Sequence, residues 1–189
     1  MTQLELARQG RVTDEMGEVA RSEGRTAEYV RERVAAGRIA ITRNTGRTNP
    51  GILGIGEGLR TKINSNVGTS RDTQDLSMEI EKARVSVEAG ADTIMDLSTG
   101  GDLVGIRKAL MSSVRVPVGT VPIYQAAVRA SEKRKSLLHM TADEMFGVIE
   151  EQAREGVDFM TVHCGVVRES RARMDFEGRV LDVVSRGGA

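Results

Sequence analysis

One pattern of residues occurs twice in this chain and limits the folds that it can adopt. An amphipathic segment rich in Glu and Arg ends at a glycine, which is followed by any residue, an aspartate, an apolar run and a polar loop ending in glycine. The two copies are residues 90–100 and 156–165. Because glycine ends helices and a short apolar run suits a buried strand, the pattern predicts helix–strand units of a parallel sheet. In such sheets the chemistry collects beyond the C-terminal ends of the strands.

Size and composition exclude several classes of protein. The chain has 189 residues, a net charge of zero and a single cysteine, so one packed core is possible and an internal disulfide is not. The zero net charge gives no electrostatic reason to expect nucleic acid or an acidic membrane as a partner. No apolar stretch approaches the roughly 20 residues that a bilayer requires, and the N-terminus lacks the features of a signal peptide. We therefore expect a cytoplasmic protein.

Residues 1–58 are predicted to form a helical N-terminal extension that precedes the rest of the fold. Thr2, Thr13 and Thr26 each stand where a helix N-cap is expected, and a glycine follows each helical stretch. We expect this segment to be too small for a core of its own.

Residues 59–189 are predicted to contain about five parallel strands, at residues 61–70, 91–97, 118–120, 157–162 and 180–184. Residues 122–124, which begin with a proline, are predicted to be a functional loop after the third strand. Repeated βα units of this size suit either an open sheet or the first part of a (β/α)₈ TIM barrel that is truncated before it closes. The sequence thus predicts an α/β fold and leaves those two forms open.

Polar residues gather where the predicted strands end, and they suggest a site at that edge. They are Asn64, Asn66, Asp96, Ser98, Thr99, Thr120, Tyr124, His163, Cys164, Ser185 and Arg186. The glycine-containing loops 98–101 and 185–188 offer backbone N–H groups and hydroxyls that suit a phosphate, although residues 98–101 fit an ordinary turn better and residues 185–188 could equally be one. His163 could act as an acid or base, a ligand, a hydrogen-bonding group or a structural residue. From the residues alone, the edge suits a small phosphorylated molecule.

Five motifs in this order resemble the phosphomethylpyrimidine synthase (ThiC) family of thiamine biosynthesis. They are residues 62–70, 90–100, 117–125, 156–165 and 184–188, and residues 2–8 also look like the start of that family. The resemblance covers essentially the whole chain, which we expect to be the N-terminal half of such an enzyme.

The resemblance implies a fold and an activity. The family has a (β/α)₈ barrel and is a carbon–carbon lyase that converts 5-aminoimidazole ribotide to 4-amino-2-methyl-5-phosphomethylpyrimidine. It uses radical chemistry with S-adenosylmethionine and a 4Fe–4S cluster, also binds zinc, and is expected to be a homodimer. The family's zinc-binding histidines and three-cysteine cluster motif have no counterpart in this chain, so we expect the chain alone to be inactive.

The resemblance also implies substrate-binding residues, which match this sequence position by position. Asn66, Met95, Tyr124 and His163 match residues that contact the substrate, and Ser185, Arg186 and Gly187 match a Ser-Arg-Gly substrate loop. No catalytic residue is assigned.

Two alternatives stay open. Cys164 stands where alanine is common in the family, which leaves possible the related branch that makes 5-hydroxybenzimidazole from the same substrate in anaerobic cobamide biosynthesis. A fragment that binds the ribotide without catalysis is the alternative from a different functional class.

Overall fold

The computed structural model describes residues 1–47, 50–132, 139–178 and 180–185. The N-terminal part contains three helices, α1 (Gln3–Arg8), α2 (Asp14–Ser22) and α3 (Ala27–Ala35), and an antiparallel hairpin of β1 (Ile39–Thr42) and β2 (Leu53–Gly56). The three predicted threonines are the N-caps, and their side chains accept hydrogen bonds from the backbone N–H groups of Glu5, Met16 and Tyr29. The local signals for these helices are therefore confirmed.

The N-terminal part has a hydrophobic core, so the expectation that it is too small for one is wrong. Its buried members are Ala7, Met16, Val19, Ala20, Val30, Val34 and Ile39. Three short amphipathic helices and one strand each bury one apolar face, and together these faces enclose a core that no single helix could form. The boundary at residues 58 and 59 stays a prediction.

The rest of the chain forms a four-stranded sheet in which all the strands are parallel. Its strands are β3 (Asn64–Val67), β4 (Thr93–Asp96), β5 (Val118–Thr120) and β6 (Phe159–Met160), and they lie side by side in that order. The α/β class is confirmed, and closure into a barrel stays a prediction. The prediction of a fifth strand at residues 180–184 is wrong. Among the described residues this segment pairs with no strand, and Val180 is 97% exposed.

Five helices accompany the sheet across the described residues. They are α4 (Leu76–Glu88), α5 (Leu103–Ser113), α6 (Pro122–Glu132), α7 (Ala142–Glu155) and α8 (Arg168–Phe176), and none in the described part is long and apolar enough to cross a membrane. α6 begins at Pro122, so residues 122–124 form the first turn of a helix, and the prediction of a loop there is wrong. Proline suits the first turn of a helix, where its missing N–H group costs no hydrogen bond.

The two aspartates of the repeated sequence pattern perform the same structural task. Asp92 precedes β4 and accepts the backbone N–H of Ile63, beside the start of β3, at 2.8 Å. Asp158 precedes β6 and accepts the backbone N–H of Val118, at the start of β5, at 2.9 Å. Each carboxylate therefore ties the beginning of its own strand to the beginning of the neighbouring strand.

Each of these aspartates also binds an arginine that precedes the sheet in sequence. Arg60 pairs with Asp92, and the hydrogen bond from its guanidinium lowers the pKa of that carboxyl. Arg47 pairs with Asp158, whose side chain is fully buried, and donates a second hydrogen bond to the carbonyl oxygen of Met111 at 2.7 Å. These ion pairs fasten the N-terminal part to the sheet.

We predict that replacing Asp158 with alanine lowers the free energy of unfolding by about 3–5 kcal/mol. The substitution leaves the buried guanidinium of Arg47 without its counter-charge, which is costly in a region shielded from water. Urea denaturation of the two proteins measures the difference.

Asp175→Ala is the matched control, because Asp175 pairs with Arg171 on the exposed surface of α8. Its cost should be about 0.5 kcal/mol or less. Equal losses from the two substitutions would contradict the role given to Asp158.

Candidate functional site

Parallel pairing places the C-terminal ends of the four sheet strands at one edge. In the strand register, Asn66 pairs with Met95, Met95 with Gly119, and Gly119 with Phe159. Side chains of register partners lie on the same face of a sheet, so these residues form one row across it. Asn66 is exposed and Met95 is 6% exposed. Two predicted site residues are thus neighbours near the C-terminal edge.

The same row contains Gly119 and Phe159, which the sequence analysis did not identify. A side chain at Gly119 would overlap the ring of Phe159, so glycine is what allows the ring to lie across β5. A glycine inside a strand often marks a close approach of this kind, and that signal could have identified the position.

Asn64 lies at the other end of β3 and does not belong to the C-terminal edge. It is the first residue of the strand, and its side-chain oxygen accepts a hydrogen bond from the hydroxyl of Thr93 at 2.7 Å. The sequence analysis grouped Asn64 with Asn66 as residues at the end of a predicted strand, but Asn64 begins β3 and only Asn66 lies near its end.

Asp96 and Thr120 lie on the opposite face of the sheet, towards the helices. They are register partners, and Thr120 donates a hydrogen bond to Gln152 of α7 at 2.6 Å. Gln152 in turn donates to Gln125 of α6 at 2.8 Å, and all four side chains are buried. These residues form a buried polar cluster between the sheet and helices α6 and α7.

Tyr124 lies beside the polar cluster, in the first turn of α6. It is half-buried and lines a cavity of about 10 Å³ together with Asp96, Ser98 and Thr120. The strand–helix connection thus brings Tyr124 to the C-terminal edge, where the resemblance implies a substrate contact.

The loop 98–101 is held as a structural turn. The hydroxyl of Ser98 accepts the backbone N–H of Thr69 at 3.2 Å, and the hydroxyl of Thr69 donates to the carbonyl oxygen of Gly100 at 2.6 Å. Asp102 then caps α5 by accepting the backbone N–H of Gly105. These bonds favour the ordinary turn over the phosphate loop.

His163 and Ser185 lie together after β6. The Nε2 atom of His163 is 2.7 Å from the hydroxyl oxygen of Ser185. The Nδ1 atom is buried and has no hydrogen-bond partner among the described residues, and the neighbouring Cys164 is exposed. Arg186 and Gly187 lie outside the described residues.

The structure thus brings the predicted site residues together as two pairs. Asn66 and Met95 are adjacent across two strands, and His163 and Ser185 are adjacent across a long connection. Tyr124 stands at the start of a helix at the same edge. Within the described part of the chain, no group of three or more His, Cys, Asp or Glu side chains is placed to hold a metal ion.

The fold and this edge define an α/β protein whose parallel sheet presents polar side chains beyond its strand ends. A sequence model of the Radical SAM ThiC family matches residues 2–189, and the chain belongs to that family.

Curated relatives agree with this assignment over the whole chain. It is 56% identical over 189 residues to the phosphomethylpyrimidine synthase of Syntrophus aciditrophicus, covering 100% of this chain and 44% of that protein. Enzymes of the same name from Thermus thermophilus and Methanocaldococcus jannaschii are 54% and 50% identical, with all of this chain and 43% and 44% of theirs covered. The chain therefore spans less than half the length of these relatives.

We predict that Asp96→Asn stabilises the protein at neutral pH. Burial raises the pKa of the Asp96 carboxyl above its ordinary value of 3.8. The folded state therefore binds this proton more tightly than the unfolded chain does. The protonated carboxyl contributes its full stability below the pKa of the unfolded state, and this contribution is lost as the pH rises through the pKa of the folded state. Asparagine is neutral throughout and retains an oxygen that can accept the backbone N–H of Ser98.

Thermal melts at pH 7 and at about pH 3.5 test this prediction, because the gain at pH 7 should shrink below the unfolded pKa. Asp72→Asn, at an exposed position, should change the stability by about 0.5 kcal/mol or less at both pH values. A loss of stability at pH 7 in Asp96→Asn would contradict the prediction, because it would show that the charged carboxylate stabilises the fold more than a neutral group does.

Proposed function

We propose that this chain is the substrate-binding part of a phosphomethylpyrimidine synthase. Such an enzyme converts 5-aminoimidazole ribotide to 4-amino-2-methyl-5-phosphomethylpyrimidine in thiamine biosynthesis by S-adenosylmethionine radical chemistry. The observation that carries the proposal is the placement of Asn66 next to Met95 near the C-terminal edge of a parallel sheet. Membership of the Radical SAM ThiC family and relatives with that enzyme's name support it.

Each proposed contact uses the chemistry of its side chain. The amide of Asn66 can donate and accept hydrogen bonds, which suits the polar groups of an aminoimidazole and a ribose. Met95 supplies a polarisable apolar surface for the ring. Tyr124 offers a phenol and His163 an imidazole, and the loop at Ser185, Arg186 and Gly187 suits the phosphate.

The residues of this chain do not fit the iron–sulfur cluster that the radical reaction requires. A 4Fe–4S cluster is held by several cysteine thiolates, whereas this chain has Cys164 alone. We therefore propose that the ligands of the cluster and of the zinc, and with them S-adenosylmethionine, belong to parts of the enzyme other than these residues. In isolation the chain should bind the ribotide without lyase activity.

The 5-hydroxybenzimidazole branch stays the second candidate, because Cys164 follows His163 directly. The two reactions share their substrate, so the products formed by a complete enzyme containing this sequence distinguish them. We also propose that the enzyme acts in the cytoplasm as a homodimer.

We predict that 5-aminoimidazole ribotide binds this chain and that Asn66→Ala lowers the affinity about tenfold. Loss of well-placed hydrogen bonds worth about 1.4 kcal/mol gives a change of that size. Isothermal titration calorimetry measures the affinity, and the ¹³C shift of the Met95 methyl group reports on contact with the ligand.

Asn64→Ala is the matched control for this titration, because Asn64 lies on the same strand and the same face but at its other end. The Asn64→Ala variant should bind the ribotide with the same affinity as the unmodified chain. Equal losses from both substitutions would place the ligand elsewhere, and no binding to the unmodified chain would overturn the proposed function.

We predict that His163→Ala and Tyr124→Phe each lower turnover in a complete enzyme containing this sequence far more than they lower its stability. The expected loss in kcat/KM is about 100-fold for the imidazole, since acid–base and orienting groups contribute on that scale. Product formation and thermal melting are measured on the same preparations. Normal turnover in both variants would refute the assignment of these residues to the site.

A further inference from the structure

A glutamate of α4 is buried although its helix faces solvent over much of its length. The side chain of Glu79 is 1% exposed, while that of the nearby Glu81 is 67% exposed. Charged side chains are almost never buried this completely unless a specific partner holds them. Specific partners are therefore expected to hold the buried carboxylate of Glu79.

The carboxylate of Glu79 joins α4 to the end of β3. Its Oε2 atom accepts the backbone N–H of Gly68 at 2.7 Å, and its Oε1 atom accepts a hydrogen bond from the ammonium group of Lys82 at 2.6 Å. Gly68 follows the last residue of β3 and comes two residues after Asn66. A hydrogen bond to an ionised acceptor is stronger than one between neutral groups, and Lys82 offsets part of the cost of burying the charge.

The backbone of Gly68 lies close to the backbone that follows β4. Its φ of +148° is one that other residues rarely adopt, and a side chain there would lie 2.6 Å from the carbonyl carbon of Leu97 and the backbone nitrogen of Ser98. The next backbone N–H, that of Thr69, binds the hydroxyl of Ser98. The ends of β3 and β4 are thus in van der Waals contact at this point, and Glu79 holds the residue that makes the contact.

We propose that Glu79 is a positioning residue for the ribotide site. Its carboxylate fixes the Gly68 amide, and this fixes the end of β3 so that the Asn66 amide stands beside Met95 in the geometry that the ligand meets. The inference rests on the proposed function, because it assigns Glu79 a role in the affinity of that same site. A binding group displaced by as little as 1 Å loses much of its effect, so the support matters as well as the contact.

Three substitutions at this site separate the hydrogen bond from the charge. Glu79→Gln retains an oxygen that can accept the Gly68 N–H, Glu79→Leu removes the acceptor at similar size, and Lys82→Met removes the ammonium partner alone. We expect the ribotide affinity to fall about tenfold in the leucine variant and to stay within about threefold in the other two, since a displaced Asn66 loses the same hydrogen bonds to the ligand that Asn66→Ala removes.

Hydrogen exchange at the Gly68 amide gives a readout that does not depend on the ligand. Exchange should accelerate about tenfold or more in Glu79→Leu and stay close to that of the unmodified chain in Glu79→Gln. Val30→Ala, in the N-terminal core, is the control for general destabilisation. It should lower the melting temperature while both the ribotide affinity and the Gly68 exchange rate under native conditions stay unchanged.

The outcomes distinguish this inference from the proposed function. Absence of ribotide binding to the unmodified chain overturns the proposed function, and with it the role of Glu79 in affinity. Normal ribotide affinity in Glu79→Leu, with rapid exchange at Gly68, overturns the positioning role alone. If the leucine variant does not fold, Glu79→Asp replaces it, because a side chain one methylene shorter leaves the carboxylate too far from Gly68. Unchanged affinity in the aspartate variant would then overturn the positioning role in the same way.

Discussion

The parallel sheet depends on two buried or half-buried carboxylates at its N-terminal edge. A parallel strand begins with a backbone N–H group that the neighbouring ladder does not always satisfy, and Asp92 and Asp158 accept such groups from Ile63 and Val118. Each also holds an arginine from the preceding segment, so strand pairing and attachment of the N-terminal part use the same two side chains. Since a buried carboxylate is costly without partners, loss of one contact weakens the others that the same side chain makes.

Fixing the strands at one edge decides which side chains meet at the other. The register that places Ile63 on Asp92 also pairs Asn66 with Met95, and Asp158 holds Val118 in the same way between β5 and β6. A shift of β3 by one residue would turn Asn66 towards the helices and separate it from Met95. The geometry of the proposed site is therefore set by contacts at the far end of the strands, where no substrate contact is proposed.

The sequence predicts the elements that have strong local signals and fails where burial by other elements decides. Thr2 and Thr13 cap helices as expected, because the cap is a local hydrogen bond. In α7 the buried residues are Val148 and Gln152, and the glutamine has hydrogen-bond partners there that a count of apolar residues cannot detect. Residues 180–184 are mostly apolar, as in a buried strand, but a strand also needs a neighbour with which to pair, and in the described chain this segment has none.

The motif around Met95 shows why a family match does not assign every residue in it to the substrate. Met95 and Asp96 are adjacent in sequence, yet alternation in a strand sends their side chains to opposite faces. Met95 joins the row with Asn66, while Asp96 is buried against the helices and accepts the backbone N–H of Ser98. Glu79 extends this division, because it lies on a helix behind the sheet and acts on the edge through a backbone amide. In the proposed site, residues on one face would contact the ligand, and those on the other face hold the edge in place, so a motif of this kind would combine recognition and support in alternate positions.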